Sequence, residues 1–242
     1  MRELEDFDWF PQAFRQHQMD FLSLLALRFK LYQPVKSLLF EVIALQKHPE
    51  WTDACSGSGG PVQSLAGNFP VLLTDLYPSS ARLQFPANLQ YLAEPADITK
   101  HLPPGNGLIT LFNSFHHFTP EQQSHLINQC IGANRALIAV EILQPGLRSF
   151  VSVVFTTTIG HWLLVPFMKP FSLKRLFFTY LVPLHTLTVL YDGIVSVFKA
   201  KSSHYFETFA KRHTTGNYRV DFIKIKGRYG PLFMIKGLPA TQ

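Results

Sequence analysis

Residues 51–61 read WTDACSGSGGP, and the run LLTDLY follows at 72–77. The first stretch has the pattern of a short strand ending on a carboxylate, Asp53, followed by a turn that holds Gly57, Gly59 and Gly60. Proline suits the first helical turn, where its missing N–H costs no hydrogen bond, so a helix is predicted to begin near Pro61. A second apolar strand, Val71 to Thr74, leads into another acid, Asp75. Glycine has no Cβ, so such a turn lets the backbone close tightly on a ligand. An acid about twenty residues beyond a glycine-rich strand-to-helix turn is how nucleotide-binding α/β folds hold a ribose hydroxyl. Gly57 and Asp75 are 18 residues apart. The stretch reads as a nucleotide-type cofactor site.

Downstream, the same alternation continues. Short apolar runs at 89–93, 108–113 and 136–143 are predicted strands, and Thr119-Pro120-Glu121 opens a helix running to about residue 131 with a cap, a first-turn proline and a first-turn acid. Nearly continuous apolar strands separated by helices predict a parallel sheet covered on both faces. Residues 218–227 alternate strictly, 228–231 form a turn and 232–237 are apolar, which is an antiparallel hairpin. Upstream, residues 14–29 and 35–45 carry helical periodicity, and Pro49 closes that block. These helices precede the first strand, so they form a cap or packing layer. Residues 145–217 interrupt the strand rhythm: Ser149–Met168 is 20 residues without a charge, and Leu176–Lys199 holds Asp192 as its one charge before the terminal lysine. The first is long enough to be a membrane candidate. A buried helical lid is the preferred expectation, with membrane-surface contact and spanning as alternatives. The chain is thus expected to be one domain: cap 1–49, cofactor core 50–144, apolar insertion 145–217 and terminal hairpin 218–238.

A chain of 242 residues, 47% hydrophobic and 14% aromatic, can bury one sizeable core. Two cysteines cannot form a disulfide framework and are expected to be reduced thiols of a cytoplasmic protein. The acidic N-terminus lacks the pattern of a secretory signal. The net charge of +6 is concentrated at the end, where residues 199–242 carry nine Lys/Arg against two acids. Three of those lysines, at 224, 226 and 236, lie on predicted strands with alternating apolar partners, so a solvated strand face is expected rather than a nucleic-acid surface.

A nicotinamide site fits poorly. The third glycine of G-x-G-x-x-G is replaced by Val62, and that fingerprint does not call for an acid where Asp53 stands. G-x-S-x-G is absent around Ser58, so an esterase elbow is unsupported. The chain instead resembles the class I S-adenosylmethionine-dependent methyltransferases over residues 50–143 and in the hairpin. The resemblance rests on four motifs in order: DACSGSG at 53–59, with Cys55 where the family has its first glycine; the strand-end Asp75; PADI at 95–98; and NSFHHF at 113–118. Those strings, with LYDGIVS at 190–196, look like a bacterial small-molecule branch of the family. The resemblance implies a Rossmann-like parallel sheet closed by an antiparallel hairpin. It also implies S-adenosylmethionine as cofactor and S-adenosylhomocysteine (SAH) as product. Cofactor contacts would come from Asp53, Ala54, Cys55, Ser56, Gly57 and Gly59, from Asp75 and Leu76 at the ribose, from Asp97 and Ile98 at the adenine, and from Asn113 and Ser114.

Methyl transfer is an in-line displacement, so much of the catalysis can be orientation. Where the acceptor must lose a proton, His116 and His117 are the candidate bases, since histidine titrates near neutral pH. Glu141, at the end of a strand where open α/β sheets collect ligands, and Tyr191 and Asp192 in the insertion are the candidate acceptor contacts. Asp192 reads either as the N-cap of a following helix or as a polar anchor in the acceptor pocket. No metal is expected, because adjacent histidines point apart and no further ligand has metal spacing with them. The expected acceptor is a small, apolar molecule. A membrane-surface lipid methyltransferase and a cofactor-binding relative without transfer activity remain as alternatives.

Overall fold

The computed structural model describes residues 1–78 and 85–240. In chain order the helices and strands are α1 (Gln12–Phe29), α2 (Lys36–Leu45), β1 (Trp51–Ala54), α3 (Gly60–Leu65), β2 (Val71–Thr74), β3 (Leu89–Tyr91), β4 (Leu108–Phe112), α4 (Pro120–Gly132) and β5 (Leu137–Glu141). Then follow α5 (Leu147–Phe155), α6 (His161–Leu164), α7 (Leu173–Leu176), α8 (Leu184–Lys199), α9 (Ser203–His213), β6 (Tyr218–Lys226) and β7 (Pro231–Pro239). The seven strands form one sheet in the order β3-β2-β1-β4-β5-β7-β6. β1 to β5 are parallel, and β7 runs antiparallel between β5 and β6.

β1, β4 and β5 are buried at every position, as expected of central parallel strands. Their side chains alternate between two cores. Leu108 and Ile138 join Trp51, Leu39 and Leu65 on one face, while Ile109 and Leu137 join Leu126, Phe206 and Tyr218 on the other. Thr119 closes a full capping box with Gln122 at the start of α4. The two N-terminal helices divide their work. α2 covers the sheet through Leu39, Val42 and Ile43, and α1 crosses the glycine turn to pack on α3.

The stretch expected as one insertion also divides. α9 buries Phe206, Phe209 and Ala210 against the sheet and belongs to the core layer beneath the hairpin. α5 to α8 form the cap proper, joined to α1 through Phe21, Val165, Met168 and Val189. The expectation of a buried lid holds only on the inner side of this cap. α5, a π-helical turn at Thr156–Gly160, α6 and a 3-10 turn at Val165–Phe167 make one apolar run of 21 residues, and only 22% of an apolar 18-residue stretch of it is buried. Hydropathy registers apolar residues wherever they face, and here a long row of them faces outward.

Candidate cofactor and acceptor site

Strand order reverses on either side of β1, whose neighbours are β2 and β4. Ligands of open α/β sheets collect at such a switch point, outside the carboxyl ends of the strands. The chain after β1 turns sharply here, with Cys55, Gly57 and Gly59 at φ of 54°, 50° and 68°. Cys55 adopts a left-handed conformation that is costly outside glycine. A Cβ on Gly57 would stand 2.6 Å from the Met19 sulfur, and one on Gly60 would stand 2.5 Å from the Ser23 Cα, so α1 lies directly on the turn.

Asp75 ties this turn to β2: Oδ2 accepts the Gly57 N–H at 2.8 Å and Oδ1 accepts the Tyr77 N–H at 2.9 Å. Burial raises its pKa in spite of these bonds. Asp53 lies deeper, in register with Thr110 of β4, whose hydroxyl donates to Oδ1 at 2.5 Å and accepts from the Trp51 indole. Burial pushes the Asp53 carboxyl up to about 7. Asp97 accepts from the Thr99 amide and hydroxyl. Burial pulls its pKa upward, but the Thr99 and Lys100 bonds outweigh that and hold it below the ordinary range. Ile98 is buried beside it, Asn113 takes a positive φ and accepts from the Ile142 amide, and the buried Ser114 side chain faces Cys55.

One cavity of about 800 Å³ takes in most of these groups: Asp53, Cys55, Ser56, Gly57, Asp75, Leu76, Asp97, Ile98, Asn113 and Ser114 all line it. Ala54 is buried at the end of β1 and Gly59 turns the backbone into α3. The cavity continues under the cap, where Phe21, Leu25, Phe29, Phe155 and Val189 give it an apolar wall. Its volume and mixed lining suit a nucleotide-sized ligand with an apolar partner.

The remaining candidates are placed unevenly. His117 lines the cavity, and His116 is buried beside it. Glu141 stays outside the lining. It accepts the Phe115 N–H at 2.8 Å and pairs with His116 Nδ1 at 2.6 Å, fixing the turn that carries both histidines. Tyr191 is 44% exposed and does not line this cavity. Asp192 is no N-cap: it sits in the middle of α8, lines the cavity, and accepts from the Leu4 and Glu5 amides and the Gln18 amide group.

Sequence reasoning missed the acidic N-terminus. Glu3, Glu5 and Asp6 fold back onto His117, with Asp6 at Nδ1 (3.1 Å) and Glu3 and Glu5 at Nε2 (3.4 and 3.9 Å). Burial alone would lower the His117 pKa, but Glu3, the Asp6 hydrogen bond and Glu5 raise it to about 9. The two histidines do not point apart, as adjacency had implied. A 3-10 turn, Phe115–His117, brings their ring centroids to 4.6 Å. Also missed was Asp20 of α1, which accepts the Ser58 hydroxyl from the glycine turn and pairs with Arg175 of α7 at 2.7 Å, locking cap to core.

Comparison with solved structures agrees with the topology. The plantazolicin methyltransferase BpumL, in complex with SAH, matches with a TM-score of 0.52 over 94% of this chain and 88% of its own, at 11% identity. The fold is that of the class I methyltransferases. Two further solved structures match at lower scores. The pyocyanin biosynthetic protein PhzM gives 0.45 at 11% identity over 79% of this chain, which spans about half of PhzM. Human N-acetylserotonin methyltransferase in complex with SAM gives 0.47 at 13% identity over 84% of this chain and 51% of its own. No family model matches the sequence, and no curated protein matches it. Within the methyltransferase fold, the N-terminal segment and the α5–α8 cap enclose the carboxyl edge of the sheet.

Proposed function

We propose that the protein transfers the methyl group of S-adenosylmethionine to a small apolar acceptor. The observation that carries this reading is Asp75 facing the Gly57 amide within a cavity that extends under an apolar cap. A carboxylate has about four lone-pair sites. The two backbone bonds of Asp75 therefore leave acceptors for a ribose diol. Ile98 and Asp97 would hold the adenine, and Asp53 with the backbone of residues 54–57 would receive the amino acid tail. The cofactor supplies an electrophilic methyl group on sulfur when bound. The chain's own residues orient the acceptor and exclude water, and of the two histidines His117 faces the acceptor side. Incubation with methyl-labelled S-adenosylmethionine and a lipid extract, alongside a panel of polar metabolites, tests the reading. Label in the organic phase is expected, and label confined to polar products contradicts an apolar acceptor.

A second observation favours a lipid acceptor met at a membrane surface. Phe155, Phe167, Phe171, Leu173, Leu181 and Phe198 are exposed on the cap, with Lys169 and Lys174 exposed among them. An apolar face fringed by cations suits an anionic interface, and a contiguous apolar surface of this kind marks an interaction site. On this reading the protein is cytoplasmic and peripheral to the membrane. Flotation with anionic liposomes checks it, and a protein left in the dense fraction sets it aside.

A further inference from the structure

The histidine pair carries an arrangement that methyl transfer by orientation leaves unexplained. His116 Nδ1 is held by Glu141 at 2.6 Å, and His117 Nδ1 is held by Asp6 at 3.1 Å. A carboxylate at Nδ1 fixes that nitrogen as the donor and leaves Nε2 as the atom that can bind an ion; on His117 the ion would displace the Nε2 proton. His117 Nε2 looks toward Glu3 and Glu5. His116 is 2% exposed, and its Nε2 has no hydrogen-bond partner among the described residues. Glu3 is likewise buried, and one ligand atom from each of Glu3, His116 and His117 lies within 4.8 Å of the other two.

An ion pair between His117 and the N-terminal acids accounts for His117 and Glu3, but it leaves His116 Nε2 bare in the interior. A buried polar atom without a partner is costly, and native structures rarely leave one. A cation resolves both features. Two imidazole nitrogens, each backed by a carboxylate on its far nitrogen, are the usual first and outer ligand shells of a protein-bound transition metal. Ligand atoms at about 2.1 Å around a tetrahedral ion stand about 3.4 Å apart; His117 Nε2 and Glu3 Oε2 already stand at 3.4 Å, and the His116 nitrogen, within 4.8 Å of the other two ligand atoms, has to draw in when the ion binds.

We propose that Glu3, His116 and His117 bind a divalent first-row transition-metal ion, of which Zn²⁺ is the probe of choice. Two nitrogens and one oxygen suit such an ion better than Mg²⁺ or Ca²⁺, which take oxygen ligands. Glu3 and His117 line the cavity, so the fourth position opens toward the acceptor. That position gives the site a chemical role, which rests on the methyl-transfer reading. An acceptor hydroxyl bound to the ion loses its proton to solvent. Its oxygen electron pair then forms the new O–C bond as the methyl carbon's bond to sulfur breaks, and that pair stays on sulfur as a thioether. The acceptor class is therefore an alcohol, phenol or enol.

The test is equilibrium dialysis of chelator-stripped protein against Zn²⁺, with metal content measured, and Co²⁺ titration followed by visible absorption. SAH titration is run on the same samples. One equivalent of metal per chain is expected, with Co²⁺ bands of a low-coordinate N/O site. His116→Ala and Glu3→Gln should each lose the metal while still binding SAH. Glu141→Gln, which acts only by orienting His116, should weaken Zn²⁺ by about 10–100-fold. Absence of stoichiometric metal in well-folded wild type, or retention of wild-type affinity in Glu3→Gln, overturns the site. Metal uptake without SAH binding would leave the site standing and remove the methyl-transfer role. SAH binding without metal uptake would do the reverse.

Discussion

Replacing Asp75 separates the backbone bonds it makes from the ribose contact proposed for it. Its two oxygens accept the Gly57 and Tyr77 amides at 2.8 and 2.9 Å, so it both shapes the glycine turn and faces the proposed ribose position. A hydrogen bond to a charged group contributes about 1.5–3 kcal/mol. Asp75 is half-buried, and desolvation offsets part of that gain. Water from the cavity can reach the freed amides as well. Asp75→Ala should therefore destabilise the fold by about 2–4 kcal/mol, a fall in Tm of roughly 5–15 °C for a chain of this size. Losing the charge-assisted ribose contact should add a drop of about 10–150-fold in SAH affinity. Asp75→Asn keeps one acceptor oxygen, so it should recover about half the stability loss and little of the affinity. Thermal melts and calorimetric titration of the three proteins provide the assay. Affinity for SAH within threefold of wild type in Asp75→Ala, with the protein folded, would refute the ribose role. An unchanged Tm would refute the structural one.

Gly60→Ala forces a Cβ to within 2.5 Å of the Ser23 backbone, so α1 must lift from the turn; a loss of about 1–3 kcal/mol by chemical denaturation is expected, and a neutral result would mean the α1 contact is slack. His17, His161 and His185 pack in the seam between α1 and the cap, where His17 Nε2 and His161 Nε2 share a 2.7 Å hydrogen bond. Burial lowers His161 and His185 to about 4, and lowers His17 further. At these three positions the unfolded chain then holds protons between pH 6.5 and 4 that the folded chain does not, so their own contribution to stability should fall as the pH drops through that window, by up to about 1.4 kcal/mol per pH unit for each histidine. A His161→Gln/His185→Gln variant should have a shallower slope in denaturant melts at several pH values, and equal slopes would contradict the assignment. On the outer cap, Phe167, Phe171 and Leu173 are 71%, 66% and 75% exposed. Their joint replacement by serine should leave the Tm within a degree or two and abolish flotation with liposomes; flotation that persists would move the contact elsewhere.

The sheet was readable because each central strand is an apolar run bounded by turn residues, and because burial on both faces removes any need for alternation. The glycine turn was readable because a left-handed backbone demands particular residue types, and the structure ties Asp75 to that turn through the Gly57 amide. Long-range convergence was not readable. Glu3 and Asp6 reach His117 across more than a hundred residues, and no local pattern links an acidic N-terminus to a histidine pair. Asp20 and Arg175 are likewise joined only by the docking of α7 on α1. Tyr191 and Asp192 show a finer limit. Successive helical residues face directions about 100° apart, so one reaches the cavity while the other points to solvent. α9 was absorbed into the insertion for lack of a turn signal separating it from α8.

Binding of the methylating cofactor at the β1/β2 edge is measured by calorimetric titration of the purified protein with S-adenosylmethionine and SAH. One site per chain with micromolar affinity for both is predicted. No heat, and no shift in Tm at millimolar ligand for a cooperatively folded protein, would contradict it.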